Sequence, residues 1–329
     1  MTHETTRNPV ITVVIPLYNK VRHIGRALDS VLAQTFSDFE VIVVNDGSTD
    51  GSEKVVERHT DPRIRVIHRE HVNSEGGHAA RNRGVAEARA DLVAFLDADD
   101  EWLPGFLETV LRLYRRYPGC GAYATMGRIV EKTGRCRTPV YSTIPVPPWE
   151  GIIPNFFRTS ILDPDPFNSS TVAVPKRVFG SVGLFPVGVP RTGDTDMWCR
   201  IALRFPIALS TQVGGVYHRE AENRIWHGPR PHNHRAIESM EQALQSGVLP
   251  SGVPPRDIIE YRNKLHITCA AFCIAEGFHS EAREHLRAAV PTVRLRRARL
   301  YWYFRSFVPR LLEKWVRRCE RLLARDARV

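Results

Sequence analysis

Short, mostly apolar runs punctuate the first part of the chain, at residues 10–15, 41–44, 64–67 and 92–96, the last without polar alternation. Such runs, bounded by turn residues, predict strands buried on both faces of a sheet. Between them, stretches near 23–34 and 79–90 carry apolar positions at helical spacing. Strand alternating with helix predicts an α/β fold, a mostly parallel sheet sandwiched by helices. In such a sheet the loops at the carboxyl ends of the strands line one crevice, where ligands bind. Tyr18, Asp46, Asp50, Arg81, Asp97 and Asp99 all fall in or beside such loops.

The strand at Leu92 ends abruptly in acid, LVAFLDADDEW. Asp97 and Asp99 are two apart and point the same way in an extended backbone. Two carboxylates about 4 Å apart at an effective dielectric of roughly 20 repel by about 4 kcal/mol, a cost that a bridging cation removes. This predicts an oxygen-ligand site for a divalent metal, Mn2+ or Mg2+, completed by phosphate oxygens. The competing reading is a solvated loop with Asp99 or Asp100 capping the next helix. Tyr18 can stack on a flat base or be a loop aromatic, and Asp46 can accept from a ring N–H or belong to an ordinary Asp-Gly turn. Arg81 can pair with a carboxylate or phosphate. Neither GxGxxG nor GKS/T is present, against a dehydrogenase or a kinase.

PLYNK at 16–20, NDGSTD at 45–50, GGHAARNRG at 76–84 and FLDADDEW at 95–102 follow one another in an order that resembles the inverting family 2 glycosyltransferases of GT-A fold. The resemblance spans roughly residues 8–225. It implies a nucleoside diphosphate sugar donor, with a uridine base favoured, and a divalent metal. It implies donor-binding roles for Pro16, Tyr18, Asn19, Asp46, Asp50, Arg81, Asp97 and Asp99. Asp97 then lies nearer the ribose and Asp99 on the metal. Residues 193–198, GDTDMW, align with a series commonly Glu-Asp-x-Asp, which makes Asp194 the catalytic base and Asp196 its companion. Gly193 stands where that series has Glu. Asp194 also reads as a helix cap. His218 is a third metal-ligand candidate, or a structural histidine.

Residues 141–167 are rich in proline and aromatics, an irregular crossing or an acceptor-binding segment. Beyond 232 the pattern turns helical, with a helix pair about Gly277. The expected division is a nucleotide-sugar domain at 8–228, a helical extension at 229–290 and a basic amphipathic tail at 291–329. The tail holds twelve Lys/Arg against three Asp/Glu, or +9 of the net +10. Leu300, Phe304, Phe307, Leu311, Trp315, Cys319 and Leu322 recur there at helical spacing, with Pro309 expected to kink the helix. Its alternatives are an anionic membrane surface, packing on the domain, or, least favoured, nucleic acid. The cysteines show no framework and read as reduced thiols. No signal-like start or bilayer-length run is present, so the expected place is cytoplasmic, peripheral on the inner face of the membrane through the tail. The expected acceptor is a hydroxyl of a cell-envelope glycan or lipid-linked intermediate. A non-catalytic nucleotide-sugar-binding or scaffold protein of the same fold is the alternative.

Overall fold

The computed structural model describes residues 8–70, 72, 76–189, 191–221, 234–290, 292 and 295–307. Its first half follows the apolar runs. β1 (Ile11–Leu17), α1 (Ile24–Leu32), β2 (Phe39–Asn45), α2 (Ser52–Glu57), β3 (Ile64–His68), α3 (Gly76–Glu87) and β4 (Leu92–Phe95) alternate along the chain. The strands lie parallel in the order β3-β2-β1-β4. β1, β2 and β4 are buried almost throughout, as their mostly apolar runs require. α3 lies close against β1: a Cβ on Gly84 would stand 2.3 Å from Val14 Cγ1. The last glycine of GGHAARNRG is therefore a packing requirement.

The second half contains β5 (Glu101–Trp102), α4 (Phe106–Arg116), β6 (Ala122–Val130), β7 (Cys136–Arg137), β8 (Glu150–Ile152), α5 (Phe156–Leu162), β9 (Val172–Pro175), α6 (Lys176–Val182), α7 (Gly193–Ala202) and β10 (Ile207–His218). Here antiparallel strands join the parallel ones and the sheet becomes mixed. The sheet continues β4-β9-β6-β10-β5, with β7 on β6 and β8 on β10, and only the β6–β10 pairing is parallel. β9 enters between β4 and β6 and runs antiparallel to both. It starts opposite the end of β4, Val172 against Phe95. The residues just before it, a 3-10 turn at Ser169–Thr171 capped by Asn168, are thus delivered to the acidic turn.

Apolar side chains pack on both faces of the sheet. One face carries α1 and α4; the other carries α3, α5, α6 and α7, and is closed by α8 (Arg235–Ser246) and α9 (Pro255–Glu276). Ile237, Met240, Tyr261 and Leu265 share one core with Phe157 and Trp198. α9 ends at Gly277, whose φ of 92° is a left-handed cap, and α10 (His279–Ala288) folds back on it as the expected helix pair. α11 (Arg296–Arg305) joins that pair through Leu295, Trp302 and Tyr303. Leu300, Tyr301, Phe304 and Phe307 remain exposed, Phe304 at 69%. Pro309, Leu311, Trp315, Cys319 and Leu322 of the expected stripe, and the boundary expected at 228/229, lie outside the described residues. Cys120, Cys199, Cys269 and Cys273 are buried free thiols and Cys136 is an exposed one. Among the described residues no helix is long and apolar enough to cross a membrane.

Candidate active site

The acidic turn is held from behind. Leu96 N–H still bonds to Val14 at 3.1 Å, and Asp100 N–H then closes the turn on the Asp97 carbonyl at 2.9 Å. Ser170 braces it twice: its Oγ accepts from Asp97 N–H at 3.1 Å and donates to Asp100 Oδ2 at 2.5 Å. Asp100 Oδ1 accepts the His218 N–H at 3.0 Å. Trp102 Nε1 donates to the Ser170 carbonyl at 2.6 Å and stacks on Phe106. Burial first, then the charges of Asp99 and Asp97, push the Asp100 carboxyl well above its usual range.

One oxygen from each of Asp97, Asp99 and Asp100 lies within 4.8 Å of the others. An all-carboxylate set is hard, and its chemistry fits Mg2+ or Mn2+ completed by phosphate oxygens. Two side-chain cations balance the same acids: Lys20 Nζ stands 2.8 Å from Asp99 Oδ2, and Arg81 bonds to Asp97. Arg26 Nη2 donates to the Asp99 carbonyl at 2.5 Å. Lys20, Arg26, Asp100 and Ser170 were not singled out as site residues from the sequence. Lys20 ends PLYNK and Ser170 lies in the polar stretch before β9, but neither carries a pattern that names its partner.

Of the expected donor residues, several spend their side chains on loop geometry. Asn19 takes φ 51° in the left-handed region, and its Oδ1 accepts from Thr49 N–H at 2.8 Å. Asp50 bonds Val21 N–H and Ser52 N–H, both at 2.9 Å, and ties the β1 and β2 loops together. Burial raises its pKa, but the Ser52 and Val21 hydrogen bonds outweigh this and lower it. Pro16 is the penultimate residue of β1. Tyr18, 40% exposed, is presented at the loop that follows. Asp46 is buried and pairs with Arg69 at 2.5 Å.

On the other side of the acidic turn, Asp194 lies in the first turn of α7, whose N-terminus has no side-chain cap. Its Oδ1 accepts from Thr195 N–H at 2.8 Å. Burial raises its carboxyl pKa, the Arg81 guanidinium opposes that, and the Asp97 charge adds to it. Asp194, Arg81 and Asp97 therefore form one electrostatic group. Asp196 does not join it: fully buried, it bonds Arg200 Nε and Ser239 Oγ, both at 2.8 Å, and fastens α7 to α8. A carboxylate so engaged braces the helix that carries Asp194. The His218 ring is likewise taken by Glu220 at 2.5 Å and Glu101 at 3.1 Å, so its side chain stands outside the three-aspartate group and only its N–H reaches Asp100.

Residues 12–172 match the sequence model described as glycosyl transferase family 2. An uncharacterized glycosyltransferase of Nostoc is 41% identical over 108 residues, 32% of this chain and 33% of that protein. One from Rickettsia felis is 29% identical over 231 residues, 68% of this chain and 34% of its own length. The chain thus spans about a third of the length of these relatives. Among solved structures, S. aureus TarS 1-349 in complex with UDP-GlcNAc has a TM-score of 0.66 at 16% identity, covering 90% of this chain and 88% of that one. The mannosyltransferase PcManGT from Pyrobaculum calidifontis, in complex with GDP-Man and Mn2+, has a TM-score of 0.54 at 20% identity, covering 92% and 85%. At these identities the likeness is one of fold, the GT-A-type α/β architecture with a helical C-terminal region that the motif series implies. With that series standing at the carboxyl ends of the strands of this fold, residues 12–172 are of the glycosyl transferase family 2 type.

Proposed function

We propose that this protein is a metal-dependent, inverting glycosyltransferase that moves a sugar from a nucleoside diphosphate donor to a hydroxyl acceptor. A UDP-sugar is the favoured donor and a cell-envelope glycan or lipid-linked intermediate the acceptor. The observation that carries the reading is the grouping of Asp194, Arg81 and Asp97 beside the three-aspartate turn. Asp97 and Asp99, with Asp100 behind them, would hold Mn2+ or Mg2+, which supplies Lewis-acid stabilisation of the departing diphosphate. Tyr18 would lie against the base and Asp46 accept from it, while Asn19 and Asp50 keep the two loops that carry them in register. Arg81 holds Asp97 and lends positive charge between donor and base.

In the transfer, the acceptor oxygen attacks the anomeric carbon from the side opposite the diphosphate. The carbon–oxygen bond to the diphosphate breaks, and Asp194 takes the acceptor proton. A carboxylate whose pKa is raised by burial is the better base for this step. The nucleotide-sugar part is assigned to 8–228, the helical extension to 229–290 and the basic tail to 291–329. The exposed Leu300, Tyr301, Phe304 and Phe307, beside Arg296 and Arg297, support an anionic membrane surface as the partner of that tail.

A scaffold role is the second reading, favoured by Gly193 standing where the series has Glu. Consumption of labelled nucleotide sugars separates the two. Wild type turns over one donor, and Asp194→Asn loses on the order of 10²–10⁴ in rate while nucleoside diphosphate binding persists. Equal turnover by Asp194→Asn contradicts the assigned base, and no turnover by wild type leaves the scaffold reading.

A further inference from the structure

Gly193 is not demanded by its backbone, which lies outside the left-handed region. It is the first residue of α7, where glycine costs about 0.5–1 kcal/mol relative to alanine in a helix interior and somewhat less at an end. The reason for it is steric. A Cβ at 193 would stand 2.5 Å from His78 Nε2, 2.7 Å from His78 Cδ2 and 3.0 Å from Pro186 Cγ. The obstructing atoms belong to two rings, neither of them the far end of a flexible chain.

His78 itself is fixed from three sides. It is 4% exposed, and its ring lies parallel to Phe185 with planes 3° apart and centroids at 5.8 Å. Phe185 is held by Asn82, which bonds both its N–H and its carbonyl, at 2.9 and 2.8 Å. His78 Nδ1 stands 3.4 Å from Arg81 Nη1, and the other terminal nitrogen of Arg81 bonds Asp97. Nδ1 is the acceptor of that contact, so the neutral ring carries its proton on Nε2, facing Gly193. The ring stays neutral: burial first, then the Arg81 charge, bring its pKa from the usual 6.5 to about 3, against a smaller raise from the Val189 backbone. His78 thus touches Arg81 on one edge and, on the other, the residue that precedes Asp194.

We propose that His78 and Gly193 are a matched pair, in which the His78 imidazole occupies the space a side chain at 193 would need and acts as a positioning residue that sets Arg81 and Asp194 relative to each other. The pair also removes one carboxylate from the series expected at 193–196, so the N-terminus of α7 meets the donor side with a neutral ring in place of an acid. The catalytic consequence rests on Asp194 as the base; the matched pair itself does not.

The test is a cycle of His78→Ala, Gly193→Ala and the double variant in the full chain, with His78→Asn as a smaller change that keeps a polar atom. Gly193→Ala lowers the melting temperature in the wild-type background and leaves it unchanged or higher in the His78→Ala background. Additive losses overturn the pair. In nucleotide-sugar hydrolysis His78→Ala lowers kcat by up to about 10²-fold with KM for donor little altered, and His78→Asn recovers part of the loss. A kcat within about twofold of wild type in His78→Ala overturns the positioning role. Absence of hydrolysis in wild type would count against the proposed transfer, and the melting cycle would still decide the pair.

Discussion

At the scale of single residues, the site is an arrangement of charges in which each acid of the turn is answered. Asp99 faces Lys20, Asp97 faces Arg81, and Asp100 is sealed by Ser170 Oγ and the His218 N–H. Asp194 alone couples to this group without an ion pair of its own, through Arg81 and Asp97 at a distance. Its raised carboxyl pKa has a sign that can be checked. The protonated form persists to higher pH than in an ordinary aspartate near 3.8, so turnover is present above the raised value and lost as pH falls through it. The acid limb of kcat/KM, which reports the free protein, is therefore expected above the ordinary aspartate range. An acid limb at or below that range would mean that another group takes the proton.

The acidic cluster was legible from its density of carboxylates at a strand end, but its geometry was not: Asp97–Asp100 form a turn closed by Asp100 N–H on the Asp97 carbonyl, where an extended backbone was expected. Nor were the partners of these acids legible. Lys20 and Ser170 reach the turn from 79 and 70–73 residues away, and no local pattern encodes such a meeting. The partners of Asp196 were hidden for the same reason. Its spacing from Asp194 is right, but the fold turns it toward Ser239 on a helix whose packing the sequence leaves open.

At the scale of elements, the β1–β4 half was readable because buried parallel strands announce themselves as mostly apolar runs separated by helical crossovers. The antiparallel insertion of β9 was not readable, since direction depends on where the preceding turn docks. That insertion matters: it is what brings Ser170 beneath the acids. α11 shows a further limit of periodicity. The stripe predicted from Leu300, Phe304 and Phe307 faces outward, while Trp302 and Tyr303 make the contact with α9 and α10. An outward apolar face flanked by arginines suits an anionic bilayer, where each basic side chain contributes about 1 kcal/mol near the surface. Flotation with vesicles containing phosphatidylserine should retain the full chain, release it at high salt, and release a chain lacking 291–329. Retention of the shortened chain would contradict a membrane role for the tail.

At the scale of the whole molecule, the parallel half of the sheet carries the loops proposed to bind the donor and the mixed half carries the helix of the proposed base, and the acidic turn lies where the two meet. α8 and α9 bury their apolar faces in the same core as α7, so the helix that bears Asp194 is buttressed from behind by the C-terminal region. Central to this account is a donor site in which metal and nucleoside diphosphate bind together on the acidic turn. The direct measurement is a thermal-shift panel of uridine, thymidine, guanosine and cytidine diphosphates, each with Mn2+, Mg2+ or chelator, on wild type and Asp99→Ala. A shift for one base, uridine first, that requires metal and is lost in Asp99→Ala is the predicted result. The same shift in chelator, or its persistence in Asp99→Ala, would contradict the account.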